Sequence, residues 1–379
     1  MREEQVLTAI IFCVLTAIYI MLSIILYVYY HSYINNKNTR LYNDRKIKFT
    51  KYLEILIIKI SNNQEIENSE ITKIRDKLFN PIYFSIFCET INNYIDNNFY
   101  HESTTKLLAN FEMYLTNKFI NLNPNNHVNY AYLIYQYSIF DYHNERYINK
   151  LCSNIEDNSI YVRVGTLRAI AKLKEIDKLI YLLQIISLKE IYIGSKVIID
   201  ILDDLNYNEE NLNKLLLDNL KSFNIATKCD VIEHFNHNKY IEASDILFKL
   251  LAKNELELNI TIIRYFNAIK DERIVPYLLK FMDSPNWEER SVAVKCSEQY
   301  RNKLIETKLV ELMKDRNWYV RSNSANIYIN ESNIVPIMEE LKITKDEFQK
   351  DIILYTLFKK HLMNYEDYQL QIKGSDINE

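Results

Sequence analysis

Between residues 150 and 355 a short motif returns at a near-constant interval, and a chain with such a period folds as a row of similar units. Ile160, Tyr161, Val162 and Arg163 match Trp318, Tyr319, Val320 and Arg321, and each set follows an acid, Asp157 or Asp315. Asn286 to Arg290 matches Asn317 to Arg321, following Asp283 with one residue inserted. Upstream, Ile274, Val275 and Pro276 return as Ile334, Val335 and Pro336. Weaker copies centre on Gly194, Thr227 and Ile260, so the anchor positions 163, 194, 227, 260, 290 and 321 lie about 31 residues apart.

That period holds two helices of three to four turns joined by short turns. In the first copy Val162, Thr166, Ala169, Ile170 and Leu173 share one helix face, and Val320, Ser324, Ile327 and Tyr328 take the matching places. The acid before each second helix can accept a backbone N–H at its start, and Pro276 and Pro336 suit first helical turns. Only 3 glycines and 5 prolines occur in 379 residues. Sheet-rich folds need many turn residues and phosphate loops need clustered glycines, so both are disfavoured. The expected class is all-α, an alpha-alpha superhelix. The abundance of Ile, Asn, Lys and Tyr fits AT-rich codons and a low-GC bacterial source.

An acid followed by a Val-Arg pair that opens an apolar helix resembles the HEAT repeat, particularly its short bacterial, PBS-lyase-like variety. The resemblance covers about 200 residues and is clearest at 157–171, 274–300 and 304–329. It implies an α-solenoid of helical hairpins in which Asp and Arg form a ladder between adjacent repeats. Asp157, Arg163, Asp283, Arg290, Asp315 and Arg321 match the ladder positions. Gly194, Thr227 and Ile260 replace the arginine in the middle copies, which are therefore expected to rely on apolar packing.

The N-terminus reads differently. No charged residue occurs from Val6 to Val28, a run that includes Ile11, Leu15 and Leu22 and ends against Tyr29 and Tyr30. A helix of this length reaches roughly 35 Å, enough for a hydrocarbon core of about 30 Å. The run is too long for a signal-peptide core, and no small-residue cleavage site follows. Lys37, Arg40, Arg45, Lys46, Lys48 and Lys51 follow the span, which puts the C-terminal side in the cytoplasm. The expected organisation is a short extracytoplasmic N-terminus (1–5), a transmembrane helix (6–30), a juxtamembrane helical region (31–149), a HEAT-like solenoid (150–365) and a tail (366–379). Within 31–149 the helical stretches are 46–60, 71–78, 82–94, 104–120 and 128–140.

Little else carries chemistry. Cys13, Cys88, Cys152, Cys229 and Cys296 are scattered, as expected of free thiols in a reduced compartment. His234 and His237, near Glu233 and Cys229, lack further ligands and read as polar residues on a solvated helix edge. Adjacent pairs such as Glu209 and Glu210, Glu288 and Glu289, and Glu339 and Glu340 diverge on a helix and read as solvated faces. Trp287 and Trp318 hold equivalent repeat positions, which predicts packing roles. No catalytic, cofactor-binding or metal-binding residue is assigned, and no cofactor is expected. The net charge of −4 disfavours nucleic acid. A small-molecule substrate is not expected either. The expected function is a non-catalytic scaffold or adaptor on the cytoplasmic membrane face, binding a membrane-associated protein such as an envelope or polysaccharide assembly enzyme. The alternative is a subunit of a HEAT-like enzyme acting as a lyase or on nucleic acid.

Overall fold

The computed structural model describes the backbone of residues 2–95, 100–122, 127–206, 211–251 and 255–375. Within these ranges it describes all side chains except those of residues 2–14, 17, 35, 36, 38, 206 and 372–375. Among the described residues the chain is all-helical, with 21 α-helices and no strand. It divides into two compact units, Met1–Leu173 and Lys174–Glu379.

The N-terminal unit begins with α1 (Arg2–Ser61), a single helix of 60 residues. The expected membrane helix and the amphipathic stretch from Lys46 to Ile60 are therefore one element. The reason is local: residues 2–61 contain neither glycine nor proline to interrupt it. It ends where Asn63 adopts a left-handed φ of 57° and the Gln64 N–H closes onto the Lys59 carbonyl at 2.9 Å. Near this end Phe49, Leu53, Leu56 and Ile57 are buried, spaced for one helix face. Burial of each such side chain stabilises by about 1.5–3 kcal/mol. Between Leu15 and Tyr30, by contrast, the large apolar side chains described are 44–73% exposed, Leu22, Val28 and Tyr29 among them. Val6 and Ile11 of the expected span lie outside the described side chains. Among the described residues no helix is long and apolar enough to cross a membrane.

The rest of this unit is α2 (Asn68–Lys77), α3 (Pro81–Ile95), α4 (His101–Ala109), α5 (Glu112–Ile120), α6 (His127–Ser138), α7 (Glu145–Ser153) and α8 (Ile160–Lys172). The expected helix over 104–120 is divided between α4 and α5 by a turn at Asn110 and Phe111. Pro81 opens α3, and the break expected around 121–126 falls mostly outside the described residues. The core is aromatic: Phe87 meets Phe111 and Phe140 at 5.9 and 5.8 Å, and Phe119 meets Tyr137 and Tyr147 at 4.9 and 5.0 Å. Tilted and edge-on rings at these separations add to the stabilisation from burial.

The C-terminal unit contains α9 (Ile176–Leu188), α10 (Ser195–Asn206), α11 (Leu212–Asn219), α12 (Ile225–His237), α13 (Ser244–Leu251), α14 (Leu256–Ala268), α15 (Val275–Met282), α16 (Trp287–Ser297), α17 (Lys303–Leu312), α18 (Trp318–Tyr328), α19 (Ile334–Ile343), α20 (Glu347–Lys359) and α21 (Tyr365–Ser375). The even-numbered helices α10 to α20 pack one on the next in chain order, each also contacting an odd-numbered neighbour. They begin at Ser195, Ile225, Leu256, Trp287, Trp318 and Glu347, steps of 29–31 residues. Tyrosines tie successive hairpins: Tyr265 Oη donates to the Tyr240 carbonyl at 2.7 Å, and Tyr300 Oη to that of Phe266 at 2.7 Å. Left-handed residues after helices are Lys174, Glu190, Lys239 and His361, positions usually given to glycine, which this chain scarcely has.

Candidate interaction surface

In α12, α14, α16 and α18 the third residue is the first to be buried: Thr227, Leu258, Glu289 and Val320. The first residue, about 200° back around the helix, therefore faces outward, and in all four helices it is apolar. Ile225, Leu256, Trp287 and Trp318 are 37%, 36%, 37% and 51% exposed. The two tryptophans, expected to pack, do so only in part and keep exposed ring surface. Tyr319 joins them, stacked on Trp287 at 5.5 Å and edge-on to Trp318 at 5.3 Å. Two hollows lie along the row, one at Leu256 and one at Trp318. One, of about 480 Å³, is lined by Leu256, Asn259, Ser284, Asn286 and Glu289 among others. The other, of about 470 Å³, is lined by Trp318, Arg321, Phe348, Asp351, Ile352, Leu354, Tyr355 and Tyr368.

A polar layer beneath the surface fixes these helix starts. Arg290 Nε and Nη2 grip both oxygens of Asp315 at 2.7 and 2.8 Å, while Nη1 donates to the Ser284 carbonyl at 2.8 Å. Both side chains of this pair are 7% exposed. Arg321 repeats the local half, with Nη1 on the Asp315 carbonyl at 2.7 Å. So does Arg163 of the N-terminal unit, with Nη1 on the Asp157 carbonyl at 2.8 Å. Asp157 Oδ1 accepts from the Ser159 N–H at 2.7 Å and lies 3.1 Å from His127 Nδ1.

Asp283 stands apart, exposed and paired with Lys308 at 2.5 Å. Its expected place belongs to Ser284, whose Oγ accepts the Asn286 N–H just as Asp315 accepts that of Asn317. Ser284 and Asp315 each precede the first helical residue by three, so no residue is inserted in this copy.

The ladder also continues where apolar packing was expected. Asn259, fourth in α14 as Arg290 is in α16, donates through Nδ2 to Glu289 Oε1 at 2.8 Å. Ser284 Oγ donates to Glu289 Oε2 at 2.5 Å, and Glu289 is only 6% exposed, contrary to a solvated face. Glu209 and Glu210 lie outside the described residues.

A second polar knot joins α10, α11 and α12. His234 is fully buried, with Nδ1 2.5 Å from Asp203 Oδ1 and Nε2 2.9 Å from Asn213 Oδ1. His237 Nδ1 meets Asp203 Oδ2 at 2.7 Å. This corrects the reading of His234 as part of a solvated edge, while His237 is exposed as expected: the carboxylate they share comes from α10, which local spacing does not reveal. Burial holds His234 below the usual histidine range, opposed by its bond to Asp203. Nearby, burial pushes the Asp230 carboxyl up to about 6, opposed by a hydrogen bond with Ser195.

Among the described residues no group of three or more His, Cys, Asp or Glu side chains is arranged to hold a metal ion. Cys88, Cys152, Cys229 and Cys296 form no disulfide with one another, and burial pushes the Cys296 thiol up to about 12. The surface thus offers rings, hollows and anchored guanidinium groups. No family model matches the chain, and no curated protein matches it in sequence.

Proposed function

We propose that this protein is a membrane-anchored, non-catalytic scaffold: residues 6–30 cross the bilayer, and a HEAT-like α-solenoid over 150–365 holds a protein partner at the cytoplasmic face. The observation that carries the binding role is the row Ile225, Leu256, Trp287 and Trp318, exposed at the same position of four consecutive even-numbered helices. Tryptophan and tyrosine supply large contact area with few torsions to immobilise, which favours them as anchors. A repeated helix start supported by buried polar bonds presents them on a rigid base.

The anchor rests on the uncharged run from Val6 to Val28 and on the exposure of its described apolar residues. An apolar surface extending all around a helix suits lipid on every side. The basic residues after it favour the cytoplasmic orientation, with Lys48 and Lys51 exposed and Lys46 paired with Glu89. Confinement to the membrane raises the effective concentration of the binding surface toward other membrane components.

Affinity capture from detergent-solubilised membranes tests the reading, comparing the full chain with the Trp287→Ala/Trp318→Ala variant. A protein recovered by the first and lost from the second is the expected result. Equal recovery by both, or no protein beside a measurable turnover, overturns it.

A further inference from the structure

The ladder in the C-terminal unit has an unfinished rung. Arg290 uses one nitrogen on carbonyls of its own turn and turns its Nε–Nη2 edge to the carboxylate of Asp315 in the following turn. Arg321 holds the corresponding carbonyl through Nη1, yet its Nε is buried without a hydrogen-bond partner. The following turn explains why. Thr344 stands three residues before Glu347, as Asp315 stands three before Trp318, and its Oγ1 accepts the Asp346 N–H as Asp315 accepts that of Asn317. Thr344 therefore occupies the aspartate slot without a carboxylate.

Arg321 is 8% exposed and forms part of the wall of the hollow of about 470 Å³. The ring of Phe348 lies over its guanidinium, 4.6 Å from Cζ to centroid, and is itself 56% exposed. A buried guanidinium N–H without an acceptor is costly, and a carboxylate is the group whose planar pair of oxygens matches it. Trp318 and Tyr355 supply apolar walls, 51% and 40% exposed. Asp351, also on the wall and exposed, disfavours a second acid and can accept a backbone N–H.

We propose that Arg321 and this hollow bind one Asp or Glu side chain, flanked by apolar residues, from a partner protein, which completes the ladder from outside. The template for the occupant is internal: Asp315 shows how a side-chain carboxylate borne on a turn meets this kind of arginine edge. The proposal rests on the scaffold reading above and names the chemistry its partner must carry.

The test uses the full chain in detergent micelles and calorimetric titration with an end-blocked peptide bearing one Asp between Leu and Phe. Its Asn counterpart and sodium acetate serve as comparisons. Saturable binding of the Asp peptide is expected, at least tenfold tighter than that of the Asn peptide. Arg321→Gln should weaken it at least tenfold. Thr344→Asp, which supplies the carboxylate within the chain, should weaken it as much while raising the melting temperature. Because Arg321→Gln can unfold the unit, Thr344→Asp decides on its own.

The proposal fails if the Asp peptide does not bind saturably, if the Asn peptide binds equally, or if Thr344→Asp leaves binding and melting unchanged. Acetate binding as tightly as the peptide also overturns it, in favour of a small carboxylate. Capture of a membrane partner that depends on Trp287 and Trp318, beside failure of these titrations, refutes the carboxylate site and leaves the scaffold reading standing.

Discussion

Two parts of the chain leave large apolar side chains in water, and they do so in different ways. From Leu15 to Tyr30 of α1 the exposure runs around the helix, and Ser23 Oγ donates only to the Tyr19 carbonyl of its own helix, at 2.8 Å. In the C-terminal unit four of the exposed apolar residues recur in register, one at the first position of each even-numbered helix from α12 to α18, above a buried layer of directional bonds. A surface without direction suits a solvent such as lipid. A spaced and oriented one suits a partner with its own shape. The contrast supports the proposed separation of an anchor from a binding surface.

Breaking the support of the row should have the largest effect. Arg290→Ala leaves the buried Asp315 carboxylate unpaired, which costs about 3–5 kcal/mol and should appear as a lowered denaturation midpoint of the C-terminal unit. Leu22→Ala, in the exposed run, should leave that midpoint unchanged.

The next effect separates the two surfaces by pH. Residues 15–30 contain no Asp, Glu, His, Lys or Arg, so attachment through them should not vary between pH 4 and 8. Asp230 has its folded pKa raised from 3.8 to about 6. The stability it contributes is present below the lower value and lost as pH rises through the upper one. Asp230→Asn should therefore stabilise the unit at pH 7.5 by about 2 kcal/mol and do little below pH 4, as read by urea unfolding. His234 has the opposite sign. Its folded pKa lies below 6.5, so its contribution is present above that value and lost as pH falls through the folded one. In the Asp230→Asn protein the histidine contribution is no longer opposed by Asp230, and stability should fall as pH drops below 6.5.

Trp318→Ala removes a side chain already half in water, so unfolding should shift by less than about 1 kcal/mol. Partner binding should drop at least tenfold, a loss that no change at Leu22 reproduces once both proteins are in detergent. Smallest is Lys239→Gly, at a left-handed φ of 51° after α12. Glycine there should stabilise the C-terminal unit by about 0.5–1 kcal/mol, measurable as a small rise in melting temperature with no change in binding.

Much of the architecture was legible because periodicity and breakers act locally. The copies around Arg290 and Arg321 marked the starts of α16 and α18, and the scarcity of glycine and proline announced an all-helical chain. The continuity of α1 was also readable, since nothing in 2–61 can stop a helix. The candidate surface was harder to read. Glu289 looked solvated beside Glu288, because adjacency on a helix says nothing about the Asn259 and Ser284 donors that neighbouring turns bring to it. Asp283 looked like a ladder residue because an acid draws the eye, whereas the backbone register belongs to Ser284. The exposure of Trp287 and Trp318 follows from helix starts that fall at those residues themselves, which composition does not resolve. The clue was present in Ile225 and Leu256, apolar residues at the same register.

Membrane attachment through the exposed run is the central claim, and alkaline carbonate extraction of membranes tests it most directly. The full chain should remain in the pellet, and a chain lacking residues 1–30 should move to the supernatant with its unfolding midpoint unchanged. Release of the full chain by carbonate, or retention of the shortened one as an integral protein, would contradict the account.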